Sequence, residues 1–363
     1  MRSFLLLLPF VATLLASPLV AAPTTSAQSP EAPAATVAED AHDAWDALAG
    51  STLFRFLDND AFAHEDDGYS HGLSLALVSP RLERFSDGPV PAWVGRHLDR
   101  FSFLEGEGVR TISHSISQRL FTPSDIEAAV PDPRDLPYSA LLYLLSTATV
   151  QDEDRLRALS LGLGVVGPLA LGEEAQRTVH RWIGSTEPEG WDSQVGNEPL
   201  LHLALEQRDR LTHVGSRGGF NADVLSELQA AIGTLQTAAH ASLTVRGGYR
   251  VPDDFQTPPP FLGEETIGLR PTTPDDGRFG MHGFVNVGLT AIGRAVWLDG
   301  RLLDDDDPSV GRDPFVVRGS VGLVTRWRGT HLTLAFEHAS LPFDPPDGAS
   351  SESFARIGLT FGS

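Results

Sequence analysis

The sequence predicts an all-β protein: a transmembrane antiparallel β-barrel of about 12 strands with one short helix. Three observations carry that expectation. Segments of about ten residues alternate apolar with small or polar side chains, the period-two signature of a sheet with two unlike faces. The non-apolar face carries Gly, Ser, Thr, His, Glu and Arg, which suits a lumen when the other face meets lipid. Finally, the chain opens with Arg2, an apolar run over 4–16 and small residues through Ala22, the plan of a secretory signal peptide.

The leader comes first. Pro9, Pro18 and the short apolar run favour a cleaved signal over a membrane anchor,, so 1–22 reads as signal peptide, with Ala21, Ala22 and Ala27 as possible ends. Residues 23–45, rich in Ala, Pro, Thr and Ser, read as a flexible segment,. Residues 46–363 then form the barrel domain. No later stretch reaches about 18 uninterrupted apolar residues, so no transmembrane helix is expected there.

Strands are expected near 51–58, 69–79, 110–119, 138–149, 155–166, 198–210, 212–220, 235–248, 281–298, 315–328, 330–340 and 351–361. The alternation is clean in several. Leu332, Leu334 and Phe336 oppose His331, Thr333, Ala335 and Glu337; Leu201, Leu203 and Leu205 oppose His202, Ala204 and Glu206. A soluble sandwich alternates in the same way, and it is the make-up of the non-apolar face that tips the reading toward the membrane. Trp297 and Trp327 fall near strand ends, where either an aromatic girdle or core packing accounts for them. The connections 250–280 and 300–314 are acidic and rich in turn formers, hence exposed loops. The run from Asp304 to Asp307 reads as a solvated acidic loop rather than a cation site.

Composition excludes whole classes of function. Lys+Arg 27 against Asp+Glu 48 give a formal charge of -21, which argues against nucleic acid. With Cys 0 there is no disulfide, no thiolate zinc site and no cysteine nucleophile.

Residues with chemistry fall in two clusters. The first runs from Asp58-Asn59-Asp60 through Phe62 to Asp66-Asp67-Gly68-Tyr69-Ser70-His71-Gly72. Its spacing alone fits an Asx turn; its chemistry also fits a carboxylate site for a hard cation, with an asparagine amide facing a developing oxyanion. The second, residues 172–184, breaks the strand period. Good helix formers between Gly172 and Gly184 predict a helix closed by its C-terminal glycine. Glu173, Gln176 and His180 share one face of it, at i, i+3 and i+7. A helical histidine is commonly structural, but Gln176 on the same face suits an imidazole held for proton transfer. The polar stretch Gly190-Trp191-Asp192-Ser-Gln194-Val-Gly-Asn197-Glu198 follows, either a packed loop or a site wall. Between the clusters lie Gln118-Arg-Leu-Phe121-Thr122-Pro123-Ser124 and Asp135-Leu136-Pro137-Tyr138.

Taken in order, these motifs resemble the lipid A 3′-O-deacylase (LpxR-type) family of outer-membrane proteins, over residues 51 to about 210. Each is weak alone; six in register are specific. The resemblance implies a twelve-stranded barrel whose active site lies between the barrel wall and a helix at the outer leaflet, and a calcium-dependent esterase that removes 3′-linked acyl chains from lipid A. By position it assigns Asn59, Asp60, Ser70, Gln176 and His180 to the site, with Asp60 as a metal ligand and Tyr69, Tyr138 and Trp191 as substrate contacts. Three positions depart from the family pattern. Ser70 replaces a common threonine and keeps its hydroxyl; Leu136 stands where Arg is usual; Thr186, beside Glu187, stands near an acid found in some relatives. The expected partner is the lipopolysaccharide of the outer leaflet. Two competing readings remain: a non-catalytic porin or scaffold, and an outer-membrane phospholipase.

Overall fold

The computed structural model describes residues 52–59, 68–256, 277–304 and 306–361. The expected signal peptide, the segment 23–45, Asp60 and residues 257–276 lie outside the described residues. Twelve strands close into one antiparallel barrel. Each pairs with its sequence neighbours, and the first pairs with the last. They are β1 (Thr52–Asn59), β2 (Gly68–Val78), β3 (Val109–Thr122), β4 (Ser139–Gln151), β5 (Arg155–Val166), β6 (Glu198–Gly215), β7 (Phe220–Gly233), β8 (Gln236–Tyr249), β9 (Gly280–Ala295), β10 (Phe315–Trp327), β11 (Thr330–Ser340) and β12 (Ser351–Phe361). Among the described residues the connections carry three α-helices, α1 (Ala92–Leu98), α2 (Gly172–Ile183) and the single turn α3 (Val296–Asp299), besides short 3-10 turns.

Burial follows the parity read from the sequence. On β6, His202, Glu206 and Arg208 are buried while Leu201 and Leu203 are exposed. The exposed apolar residues continue across the register: Leu144 faces Leu163, Leu163 faces Leu201, Val245 faces Val285 and Val321 faces Phe336. The outer surface is therefore an apolar belt and the inner face is polar, as lipid on one side and a closed lumen on the other require.

The lumen is packed. Arg246 lies 2.7 Å from Asp223 and 2.5 Å from Asp254, Arg208 bridges Glu206 and Glu227, and Arg356 meets Glu337 at 2.8 Å. Residues 251–256 fold back against these strands, and the Phe255 carbonyl accepts from Arg208 at 2.6 Å. Removing one member of such a buried pair strands the other, at a cost of about 3–5 kcal/mol. The opposite end holds an apolar cluster that includes Phe121, Leu136, Leu141, Val166, Val195, Trp297 and Phe343.

Four expectations need correction. Residues 251–255, expected as part of an exposed loop, are buried. The seventh strand is 220–233, not 212–220, because residues up to Gly215 continue β6 and a Gly218-Gly219 turn follows. The ninth strand stops at Ala295, where the chain turns into α3. Finally, α2 is not the sole helix, since α1 lies in the β2–β3 connection. Trp297 is core: it is buried and stacks on Phe121 with centroids 4.9 Å apart. Trp327 is exposed at the end of β10.

Antiparallel order gives the barrel two ends. The connections β1–β2, β3–β4, β5–β6, β7–β8, β9–β10 and β11–β12 lie at one, here the upper end; the other connections and both barrel termini lie at the lower end.

Candidate active site

The β5–β6 connection at the upper end carries α2, and the parity of the strands beneath shows which side of the wall it occupies. On β3, Ser117, Arg119 and Phe121 point inward, whereas Ile116 is exposed and Leu120 shares its parity. Leu120 and its register partner Ala140 belong to a buried cluster with Tyr138, Ala170 and Trp191, packed by Leu142, Val165 and Ala175. The helix thus lies on the outer face of the barrel, directly above the apolar belt.

Local chemistry sets that position. Leu171 at the N-cap adopts a left-handed conformation (φ 59°). Gln118, reaching outward from β3, donates to the carbonyls of Ala170 at 2.7 Å and Leu171 at 3.3 Å. Gly172 is pressed on the wall so closely that a Cβ there would lie 2.4 Å from the Ala140 methyl and 2.6 Å from the Trp191 ring. Glu173 and Glu174 occupy the first turn, His180 and Arg181 the last, in accord with the helix dipole,. Glu173 pairs with Arg177 at 2.9 Å, and Arg177 also reaches Glu187 at 3.2 Å.

Gln176 and His180 are both buried on one face of α2. Gln176 Oε1 accepts from the Trp191 indole N–H at 2.8 Å, which leaves its amide N–H2 as the donor on offer. The ring of His180 meets the Thr186 carbonyl through Nδ1. A carbonyl has no proton to give, so Nδ1 carries one, and in the neutral ring the lone pair sits on Nε2. The backbone carbonyl of His180 accepts from the Ser185 N–H at 3.0 Å as the helix closes at Gly184 (φ 72°). One turn of chain therefore holds both the backbone and the ring of this histidine. The backbone of Thr186 does the orienting, a role independent of its side chain.

The surrounding loops are braced. Tyr138 is fully buried against Trp191, with ring centroids 4.8 Å apart, and its hydroxyl donates to the Ile126 carbonyl at 3.1 Å. Burial pushes its phenol above the ordinary tyrosine range,. Asp135 accepts from the Ser124 N–H at 2.9 Å and hydroxyl at 2.6 Å, and Glu198 accepts from the Leu302 and Leu303 N–H groups at 2.9 and 3.2 Å. Leu136 packs in the inner cluster rather than toward a ligand. In the Asp304–Asp307 region, Arg301 pairs with Asp304 at 2.5 Å and Asp307 at 2.9 Å. Among the described residues no three His, Asp or Glu side chains converge as a metal cage.

The first cluster reaches this helix through the sheet register. Asn59 on β1 lies opposite His71 on β2, His71 opposite Leu120 on β3, and Leu120 opposite Ala140 on β4. Asn59 is thus two strand spacings, about 10 Å, from the floor of α2. The β2–β3 register shifts between Tyr69 and His71, so Ser70 is the extra residue of a β-bulge,. Tyr69 lies opposite Phe121. Asp60 is outside the described residues.

Of the expected substrate contacts, Tyr138 and Trp191 are fully buried beneath the helix. Sequence reasoning passed over Gly172, the Thr186 carbonyl and the Gln118 brace. Only Gln118 left a signal, as the first residue of a motif. The outer rim carries Leu169, Leu171, Trp182 and Ile183, all exposed.

A sequence model of the family described as "Outer membrane protein LpxR" matches residues 11–362. The chain belongs to that family. Among solved structures, LpxR from Salmonella typhimurium aligns with a TM-score of 0.69 at 19% identity, covering 86% of this chain and 100% of that one; it is the same barrel fold. The beta domain of the Bordetella autotransporter BrkA (TM-score 0.38, 10% identity, 86% of this chain and 98% of that one) and the KdgM porin (0.35, 8%, 86% and 99%) share little beyond a barrel. No curated protein matches. Family membership and the lipid-facing belt make this an outer-membrane barrel of the LpxR kind.

Proposed function

We propose that the protein is a lipid A deacylase of the outer leaflet, hydrolysing the ester of 3′-linked acyl chains. One observation carries the reading: a buried histidine, its Nδ1 held by the Thr186 carbonyl, sits on a helix outside the barrel wall, above the lipid belt. A soluble substrate would be met from a lumen mouth or a water-facing cleft. A base on the outer wall instead meets a molecule that lies in the membrane.

In the mechanism, neutral His180 takes a proton from water through Nε2 while the water oxygen attacks the ester carbonyl. The bond between the acyl carbon and the sugar oxygen then breaks, and the imidazolium gives its proton to the departing oxygen, which leaves as the hydroxyl. Gln176, held by Trp191, orients the water with its amide N–H2. Asn59 donates to the developing oxyanion. The exposed Leu169, Leu171, Trp182 and Ile183 receive the acyl chains. A divalent cation would be held in part by the Asp60 carboxylate, a hard oxygen donor of the kind calcium takes. When bound, it supplies polarisation of the ester carbonyl. The bulge at Ser70 favours a second reading of the nucleophile, in which the serine hydroxyl attacks and an acyl-enzyme forms.

Purified protein offered lipid A in detergent micelles releases fatty acid in this account. Chelation stops the release, and added calcium restores it. Hydrolysis carried out in 18O water with Ser70→Ala separates the nucleophiles: activity retained in the variant points to water. Release from glycerophospholipid micelles but not from lipid A makes the enzyme a phospholipase, and release from neither leaves a non-catalytic barrel.

A further inference from the structure

The β2–β3 connection, residues 79–108, lies at the lower end of the barrel, where outer-membrane barrels ordinarily have short turns. It is not a free loop. Phe85 and Leu104 are buried against Ile112 of β3, Ala148 and Val150 of β4 and Leu159 of β5. Ile112 shares the parity of exposed Ile116, Ala148 and Val150 that of Leu144, and Leu159 that of Leu161. The segment therefore packs on the outer face of the wall, over the same three strands that carry α2 at the other end.

Its fold is tightly specified. Asp99 accepts from the Phe85 and Ser86 N–H groups at 2.7 and 3.3 Å, and Arg157 reaches from β5 to the Phe103 carbonyl at 3.1 Å. His114, also on the outer face, lies 3.0 Å from the Pro89 carbonyl. What the segment turns away from the wall is unusual for a loop: Trp93 is 63% and Phe101 37% exposed, and the exposed charges of the segment include Arg84, Arg96 and Arg100 together with Glu83, Asp87, Glu105 and Glu107. Aromatic rings with guanidinium groups at the rim of an apolar belt are the composition of a membrane interface.

We infer that residues 79–108 form an in-plane anchor, seated at the headgroup–acyl boundary of the leaflet opposite the candidate active site and bound there by glycerophospholipid. Spacing agrees with this. From Ile112 under the anchor to Leu120 under α2, β3 climbs about 20 Å along the membrane normal at the usual strand rise and tilt. An apolar band of roughly 25 Å is typical of such barrels, so the two covers bracket one hydrocarbon layer. The anchor is also continuous with the lipid-facing wall: Phe103 forms the lip of a groove of about 450 Å³ on it, floored by Leu205, Leu228, Ala230, Ala239 and Leu289. Such a groove is filled by an acyl chain once the barrel is in a bilayer. Assigning this leaflet to glycerophospholipid rests on the proposed orientation of the site; the membrane depth of the segment does not.

The chain has no cysteine, so a single introduced one is a clean labelling site. A nitroxide on Trp93→Cys is measured in vesicles of phosphatidylethanolamine and phosphatidylglycerol, by accessibility to oxygen and to a water-soluble nickel chelate. Ser216→Cys in the β6–β7 turn at the same end serves as the aqueous reference, and Leu161→Cys on the outer wall as the hydrocarbon reference. The label at 93 is expected between the two, about 5–10 Å inside the headgroup boundary. A value equal to that at 216 places the segment in water and overturns the anchor. So does a value equal to that at 161, which would make the segment part of the hydrocarbon belt. Deacylation by the same labelled proteins is a separate readout, so a failed enzyme reading leaves the depth result standing.

Discussion

Two covers sit on one stretch of wall, and they have been put to opposite uses. At the upper end, α2 lies over Leu120 and Ala140 and carries two buried polar side chains, Gln176 and His180. At the lower end, the 79–108 segment lies over Ile112, Ala148 and Val150 with an apolar underside of Phe85 and Leu104. Both rest on outward residues of β3, β4 and β5. The difference is what each does with burial. The lower cover uses it for packing alone, which makes it an anchor. The upper one buries an imidazole whose Nδ1 meets a carbonyl, the group that the proposed function uses as a base. A barrel wall is a rigid platform, and what is attached to it decides the chemistry.

The largest effect that can break this contrast is at His180. Replacing it with Ala lowers acyl release by about 10²–10⁴-fold, the range lost with a general base, while heat-modifiable migration on a gel reports an intact barrel. Phe85→Ala, in the other cover, leaves acyl release unchanged. Gly172→Val comes next. Its side chain has no room between Ala140 and Trp191, so α2 is pushed off the wall, and a displacement near 1 Å costs about 10²-fold in rate. The readout is kcat on lipid A with the barrel still heat-modifiable.

Smaller effects sharpen the comparison in stability terms. Phe85→Ala removes the largest side chain of the lower underside and costs about 3–5 kcal/mol of local stability, seen as faster hydrogen exchange confined to 79–108. Tyr138→Phe deletes the hydrogen bond to Ile126 and costs about 1 kcal/mol. Because burial raises the folded-state pKa of Tyr138, its neutral form stabilises the fold fully below the unfolded value near 10. That contribution disappears as pH climbs through the raised value. An ultraviolet titration therefore shows a late-ionising phenol that is missing in the Phe variant.

Much of the barrel was legible because period two is a direct print of inside and outside. Leu201, His202 and Leu203 could be assigned to faces before any coordinates. What stayed hidden was hidden for physical reasons. β7 is built from residues such as Ala222, Leu225, Glu227 and Gln229, good helix formers that become a strand only because ladders on both sides demand it. Residues 212–220 have little alternation of their own; they finish β6 and turn. α1 has only seven residues, too few for a period to register. In the site, ordered motifs brought out Gln176 and His180, because a helix face can be counted. Tyr138 and Trp191 belong to the same motifs, but a motif does not say whether a ring faces substrate or supports the residue that does. The roles of Gly172 and the Thr186 carbonyl are matters of distance and backbone direction, which no residue type announces.

The most direct test is the mass of lipid A extracted from cells that make the protein, set beside cells making the His180→Ala variant at equal outer-membrane levels. The account predicts that only the wild-type cells lose the mass of the acyl chains linked at the 3′ position. Equal loss in both strains would contradict the role given to His180, and no loss in either would contradict the enzyme.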